Sequence, residues 1–399
     1  MGRLSGTYLI GLKWTQPVEV DPSASNQHEF NGVSALRRVL GEERIEGLPT
    51  RWFLLRDQQD VFEEEHLITW YDARENVEHR SAEWRLYYRD QTRIVPGDLL
   101  VVMRRQGGEE IAFLSAPAGS SWESQLCGLL GTPADSSGTF VVREMSEVPD
   151  PFIQVAESLF EAIGWLETPV EAEPSEVDRL VERFGASFPP SRAFSAFARE
   201  RAGLDARDPD AMVYGWWKTE EVLFMTFEKL IVAKRLEHPF NDVDDFITFS
   251  MSVHQRRRSR AGMALENHLE ALLKLRGVKY SRTPATEGSR RPDFIFPGAA
   301  QYHDSSFDPA LLSMLGVKTT CKERWSQILT EADRIWPKHL CTLEPAVSRQ
   351  QLTDMKDKRV VLVAPRPLLT TYDPPPGMTP MSISEFVELV ADRERRWMH

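Results

Sequence analysis

The spacing of apolar residues changes period partway along the chain, and one packed layer cannot serve both periods. Over residues 1–130 the apolar and aromatic residues come in short runs: Thr7–Trp14, Arg51–Leu55, Leu67–Tyr71, Trp84–Tyr88, Leu99–Met103 and Ile111–Leu114. Turn signals such as Pro96-Gly97-Asp98 and Gly107-Gly108 separate them, which is the pattern of short strands. Gly32–Leu40 is the clearest helix in this part. From about residue 177 the period becomes helical, in Glu176–Phe184, Glu220–Leu236, Val243–His254, Gly262–Leu275, Lys322–Trp336 and Ser382–Trp397. Short apolar strands lie between them at Asp293–Phe296, Met314–Val317 and Val360–Val363. The expectation is a multidomain chain: a mostly β barrel or sandwich over 1–130, an acidic linker with one helix (Pro151–Leu166) over 131–176, and an α/β domain over 177–399.

Composition narrows the function classes. With 399 residues, 41% hydrophobic and 27% charged, the chain has enough apolar material for two cores and is not globally disordered. No apolar run approaches the roughly 20 residues that a membrane helix needs. No apolar segment of the kind a secretory leader needs follows Met1-Gly2-Arg3-Leu4. The three cysteines, Cys127, Cys321 and Cys341, are widely separated and odd in number. That excludes a disulfide framework and a paired-cysteine zinc site, and it fits a cytoplasmic protein with no membrane partner.

The net charge is −12, yet its distribution says more than its sum. Residues 144–182 carry Asp or Glu at eleven positions and a single Arg, whereas Arg256-Arg257-Arg258-Ser259-Arg260 and Arg290-Arg291 are dense basic clusters. A basic surface is expected in the C-terminal half, with Arg258 and Arg260 as candidate DNA contacts.

Two strands carry the chemistry. Pro292-Asp293-Phe294-Ile295-Phe296 places an acid at the start of an apolar strand, and Leu315-Gly316-Val317-Lys318 places a lysine at the end of another. Metal-dependent phosphodiester cleavage needs such parts: a carboxylate to hold Mg²⁺, and a lysine to orient water and steady the charge on phosphorus. The usual arrangement, PD…(D/E)xK, has a second carboxylate two residues before the lysine, where this chain has Gly316. Glu331 offers a substitute, because it borders the apolar face (Trp325, Ile328, Leu329, Ala332, Ile335) of the helix expected over Lys322–Trp336. Glu266 is placed similarly, with Leu269 and Leu273 following it. On spacing alone, a lone PD and a lone lysine also arise by chance, and glutamates flanking an apolar face are usually solvated.

Thr320-Cys321-Lys322-Glu323 matches a capping box, with Thr320 at the N-cap and Glu323 returning to its backbone N–H. Lys322 and Arg324 oppose the helix dipole there, and a polyanion contact would offset that. Two cations around an acid also suit a C·G pair, because the cation donates to guanine and the glutamate accepts from cytosine.

These residues, with Arg257-Arg258-Ser259-Arg260-Ala261-Gly262, Leu265-Glu266, His268-Leu269-Glu270, Thr286-Glu287-Gly288, Tyr302-His303-Asp304 and Val317–Trp325, resemble the catalytic domain of EcoRII-like type II restriction endonucleases over roughly 205–365. The resemblance implies a C-terminal restriction-endonuclease-like fold of the PD-(D/E)xK class and a Mg²⁺-dependent homodimer. It implies cleavage of double-stranded DNA at a short site with CC and GG at its ends, with a cognate DNA methyltransferase as a genetic rather than physical partner. The catalytic roles fall on Asp293, Lys318 and Glu331, with Asp293 and Glu331 holding metal and Glu266 supporting the site. The recognition triplet falls on Lys322, Glu323 and Arg324. Such enzymes hold extruded central bases with an arginine and an aromatic. The matching stretch here, Tyr214–Glu221, has no arginine, and Glu221 stands about where the aromatic would be. Trp216 and Trp217 are the candidates to stack on an extruded base, or else are core residues.

The N-terminal part resembles the effector domain of the same enzymes more weakly, a pseudobarrel that binds a second DNA site. Arg74, Arg80, Arg85 and Arg89, interleaved with Trp70, Tyr71, Trp84, Tyr87 and Tyr88, are its candidate DNA contacts. Cross-strand aromatic pairing on an edge sheet explains the same strip equally well. A second site implies allosteric control. Two other classes remain open at this point: a nuclease directed at modified DNA, and a regulator that binds DNA without cutting it. His254, His268, His303 and His339 form no metal-ligand spacing.

Overall fold

The structure is a computed structural model, and it describes residues 2–24, 29–32, 34–56, 61–76, 79–89, 92–132, 138–163, 165, 172–185, 187–203, 207–321 and 323–398. The chain divides into two units, Met1–Glu167 with Pro345–Gln350, and Thr168–Glu344 with Gln351–His399.

The first unit is built on strands β1 (Gly2–Trp14), β2 (Glu29–Gly32), β3 (Ile45–Leu55), β4 (Val61–Asp72), β5 (Trp84–Tyr88), β6 (Leu99–Arg105), β7 (Ile111–Ala116) and β8 (Val141–Val148). Its helices are α1 (Pro17–Val20), α2 (Ser34–Leu40), α3 (Ser121–Leu129) and α4 (Ile153–Ala162). The strands form one mixed sheet in the order β2-β5-β4-β3-β7-β6-β1-β8. All the pairings are antiparallel except β3 with β7.

Alternation along these strands feeds two cores, one on each face of the sheet. Ile10, Leu12, Phe53, Leu55, Val101 and Leu114 pack with residues of α3 and α4 on one face. Trp52, Leu54, Trp70, Leu100, Val102 and Phe113 pack with Leu36 and Val39 of α2 on the other. Trp52 and Phe113 are partners in the β3–β7 register and stack at 4.2 Å. A sheet covered on both faces explains why β6 and β7 read as unbroken apolar runs.

One boundary differs from expectation. Residues 141–163, expected within a linker, supply β8, which pairs with β1, and α4, whose Leu159 and Phe160 enter the first core together with Ile163 just after the helix. The acidic residues hid this strand. Glu144 and Glu147 of β8 are exposed while Met145 and Val148 are buried, so the element carries a polar outer face. The expected Gly131–Gly138 linker lies largely outside the described residues.

The second unit contains helices α5 (Pro174–Phe184), α6 (Ser191–Ala202), α7 (Pro209–Leu236), α8 (Val243–Leu275), α9 (Ala299–His303), α10 (Arg349–Asp357), α11 (Arg366–Leu369) and α12 (Ile383–Met398). Its strands are β9 (Ser281–Arg282), β10 (Phe294–Phe296), β11 (Ser313–Val317), β12 (Lys338–Cys341), β13 (Val360–Ala364) and β14 (Met381–Ser382). The sheet order is β14-β13-β12-β11-β10-β9. The β9–β10 and β10–β11 pairs are antiparallel and the rest parallel.

Helices α5, α6 and α7 share a core of Leu180, Phe194, Phe197, Leu223, Phe224 and Phe227. Helix α7 starts eleven residues before its expected start at Glu220, because Asp208 caps it by accepting from Asp210 N at 3.0 Å and Pro209 occupies the first turn. The two helices expected over 243–275 are one, capped by Asp242. Gly262 sits inside it with open space around its Cβ position. The helix expected over Lys322–Trp336 is instead a 3-10 segment, Glu323–Thr330, followed by an irregular loop. In that loop Ala332 has φ 50°, which an α-helix does not tolerate. No helix among the described residues is long and apolar enough to cross a membrane.

Candidate active site

The site is assembled where β10 and β11 meet. Their register pairs Phe294 with Leu315, which brings Asp293, just before β10, beside the end of β11. Asp293 Oδ2 accepts the Val317 N–H at 2.6 Å, and Lys318 Nζ lies 3.6 Å from the same oxygen. The apolar residues of β10 and β11 are fully buried, so the acid and the lysine are the polar ends of a rigid apolar frame. Lys318 N also donates to Cys341 O at 2.9 Å, tying the lysine to β12.

Gly316 occupies the position where a second carboxylate would ordinarily stand, and its surroundings explain the glycine. A Cβ there would come within 2.6 Å of Ile328 Cγ2. The 3-10 segment lays Ile328 over this face of the strand, and three residues further on the chain presents Glu331. The carboxylate therefore arrives from the loop instead of the strand. Burial first, and then the neighbouring charge of Asp293, push the Glu331 carboxyl up to about 7, while Lys318 acts in the opposite direction.

Glu266, on α8, lies near enough to feel the charges of Asp293 and Lys318. Its carboxyl is also raised, by burial first and then by Asp293, with Arg282 and Lys318 opposing. Glu266 Oε2 accepts from Arg282 Nη2 at 2.9 Å. Arg282, on β9, also donates through Nη1 to Glu270 at 2.6 Å and to Asn267 Oδ1 at 2.9 Å. The sequence reading missed Arg282, and nothing in Tyr280-Ser281-Arg282-Thr283 distinguishes it from any other basic residue.

Asp293, Glu331 and Glu266 outnumber the cations beside them, Lys318 and the Arg282 that Glu266 shares with Glu270, and a divalent cation relieves that repulsion. The donors at Asp293 and Glu331 are all oxygen, matching a hard cation. No three His, Cys, Asp or Glu side chains among the described residues form a ready-made metal cage. A cation held by two carboxylates, water and substrate phosphate needs none.

The other candidates are placed as follows. Lys322 and the side chains of Glu323, Arg324 and Arg258 lie outside the described residues, as does any capping box at Thr320. The basic cluster of α8 is turned inward more than its composition suggested. Arg260 is buried, pairs with Glu221 and lies 4.4 Å from the Phe224 ring. Arg257 Nε donates to the buried Glu228 at 2.5 Å.

Trp216 and Trp217 are buried on α7. The Trp216 ring lies 6.0 Å from His268, which is itself 2.9 Å from Glu220 and is held below its usual pKa by burial. In the first unit, Arg85 pairs with Glu29 and Glu83, and Arg74 pairs with Glu83, while Arg80 and Arg89 are exposed.

Residues 224–387 match the family model described as the EcoRII C-terminal domain, a span that includes Glu266, Asp293, Lys318 and Glu331. The chain is 39% identical over 209 residues to the type II restriction enzyme EcoRII of Escherichia coli, covering 52% of this chain and 52% of that protein. It is 28% identical over 182 residues to the type II restriction enzyme SsoII of Shigella sonnei, covering 38% of this chain and 57% of that one. The chain thus spans about half the length of the curated relatives it matches. A solved structure, metal-depleted Ecl18kI in complex with uncleaved, modified DNA, aligns with 21% identity and a TM-score of 0.41 over 57% of this chain and 86% of that one.

Proposed function

We propose that this EcoRII-like chain is a type II restriction endonuclease that hydrolyses one phosphodiester bond per strand of duplex DNA at a specific site. The observation that carries the reading is the meeting of Asp293, Lys318 and Glu331 at one end of the β10–β11 pair. The sequence match over the same residues supports it.

In this reading Asp293 and Glu331 hold Mg²⁺, which when bound polarises the scissile phosphate and activates water. Asp293 keeps a fixed direction because the Val317 N–H occupies one of its oxygens. Lys318 lies close enough to Asp293 to share its charge, and its ammonium orients the attacking water and offsets charge developing on the phosphate oxygens. Arg282 holds Glu266 in place, so Glu266 supports the carboxylate pair.

Several finer features belong to the same proposal. The site read has CC and GG at its ends, through Lys322, Glu323 and Arg324. Two copies of the chain act together through the C-terminal unit, so that each cuts one strand. The N-terminal unit is a pseudobarrel effector domain that binds a second DNA site and controls cleavage. Its exposed Arg80 and Arg89 support that role.

The test is digestion of unmethylated phage DNA with Mg²⁺, beside a Lys318→Ala control. Discrete fragments from the wild type, absent with the variant, are the expected result, and sequencing their ends gives the site. Tight site-specific binding without cleavage would replace the proposal with a DNA-binding regulator. Cleavage confined to methylated DNA would replace it with a modification-dependent nuclease.

A further inference from the structure

Glu331 sits in a loop with little regular structure to hold it. Its backbone N–H reaches Ile328 O at 3.1 Å, and the next residue, Ala332, has φ 50°, a conformation that residues with a side chain adopt at a cost. A turn of this kind leaves the carbonyls of residues 331 and 332 without strand or helix partners, and buried carbonyls need donors.

Ala332 O accepts the Ile335 N–H at 2.9 Å, and one buried side chain bonds both carbonyls. Lys338, the first residue of β12, sends its ammonium to Ala332 O at 2.7 Å and to Glu331 O. The residue is wholly buried. Among the described residues no carboxylate forms an ion pair with it, although buried lysines are rare without one. The Trp336 ring lies 4.6 Å from Nζ, and the charges of Asp333, Glu287 and Glu331 act on the ammonium from further off. A buried ammonium spent on two backbone carbonyls is a poor device for stability alone, because an apolar residue in β12 would avoid the desolvation penalty. It is an effective device for fixing a loop. The far side of the same loop is fastened too: Glu287 accepts from Asp333 N at 3.3 Å, and Arg334 donates to Asp304 O at 2.8 Å and Phe307 O at 3.0 Å.

We propose that Lys338 is a positioning residue for the metal-binding carboxylate. Its ammonium, bonded to the carbonyls of Glu331 and Ala332, fixes the loop so that the Glu331 side chain is aimed at Asp293 and Lys318. Because the carboxylate comes from a loop and not from the strand, its aim depends on that anchor, whereas Asp293 is aimed by the adjoining β10 and by the Val317 N–H. This inference rests on the nuclease reading above.

The test uses the full-length protein and the variant Lys338→Met, which keeps the long apolar stem and removes the ammonium. Mn²⁺ alone is titrated calorimetrically, without DNA, and thermal melting and DNA binding in EDTA are measured beside it. Loss of an outer-shell partner typically weakens metal binding by about 10–100-fold, and a loss in that range is expected here. The Mg²⁺ concentration that half-saturates cleavage should rise in parallel, while DNA binding in EDTA stays at the wild-type level. Wild-type Mn²⁺ affinity in a folded Lys338→Met protein would overturn the inference.

Should Lys338→Met not fold, Lys338→Gln is read in the same way. Its amide is shorter and uncharged, so it cannot serve both carbonyls, and wild-type Mn²⁺ affinity in that protein overturns the inference equally. Wild-type protein that neither binds Mn²⁺ nor cleaves would overturn the nuclease reading and this inference with it. Normal metal dependence in the variants, with an active wild type, overturns the inference alone.

Discussion

Ile328 lies so close over Gly316 that a Cβ on the glycine would stand 2.6 Å from Cγ2 of the isoleucine. The glycine is therefore required by packing, and the migration of the carboxylate to Glu331 and the apolar contact at Ile328 are two sides of one arrangement. Gly316→Ala should destabilise the protein by about 1–3 kcal/mol in denaturant unfolding, the usual cost of overpacking a buried site. Adding Ile328→Ala frees the space, so the double variant should lose less than the sum of the two single variants. Strict additivity would mean that the contact does not exist. Gly316→Glu combined with Glu331→Ala should give neither a stable protein nor a cleaving one, since Ile328 holds the place the new carboxylate would need.

Arg282 bridges Glu266 and Glu270, and Glu270 also meets Lys274 at 3.2 Å and Arg192 at 3.6 Å. Removing it takes the guanidinium from the largely buried Glu266, while Glu270 keeps Lys274 and Arg192. Arg282→Met should cost about 3 kcal/mol, the scale of breaking a partly buried ion pair, and it should raise the Glu266 carboxyl further. Arg282→Met with Glu266→Gln should recover part of the loss. Urea unfolding of the three proteins decides this, and a double variant no more stable than Arg282→Met would show that Glu266 gains nothing from the arginine.

What could be read from the sequence follows from which interactions are local. Strands β5 and β6 and helix α5 announce themselves through alternation, flanking turns and periodicity, so their placement was nearly right. Asp293 and Lys318 stood out because each ends a short apolar strand. Glu331 stood out only as a flank residue of an expected helix, and that helix is absent. A sequence pattern of helical period reports the apolar face that Ile328 and Ile335 share, but not the left-handed turn at Ala332 that breaks it. The roles of Lys338 and Arg282 depend on partners 6 to 16 residues away across loops and strands, and no spacing rule reaches them. The acidic stretch concealed β8 because charge on the outer face of an edge strand looks the same as charge in a linker.

The arginines of the first unit divide into two kinds. Arg85 is tied to Glu29 and Glu83, whereas Arg80 and Arg89 stand exposed. If this unit grips a second DNA site, Arg80→Ala and Arg89→Ala should each weaken binding of the full-length protein to duplex DNA and each lower the slope of log affinity against log salt by about 1. Arg85→Ala should act mainly on stability, because it leaves Glu29 without its cation. Fluorescence anisotropy over a range of salt concentrations separates the cases. Unchanged slopes in both surface variants would remove the arginine strip from the DNA-binding surface.

His339 gives the fold a pH dependence whose sign can be worked out. It lies on β12, fully buried, with its ring 5.0 Å from Phe386. Burial first, then the charge of Arg393, push its pKa down to about 4 from an ordinary 6.5. The unfolded chain binds a proton at this residue as pH falls through about 6.5, but the folded chain does not until about 4. The unfolded state thus holds more protons across that window, and stability declines as the solution is acidified. The interval is worth about 3 kcal/mol at 1.36 kcal/mol for each pH unit. His339→Leu removes the titration and keeps an apolar residue against Phe386. Relative to the wild type, the variant should therefore gain about 3 kcal/mol between pH 7.5 and pH 4 in denaturant unfolding. His268 and the carboxylates titrate in both proteins and cancel in the difference. Parallel stability curves for the two proteins would show that His339 takes up its proton without leaving the core.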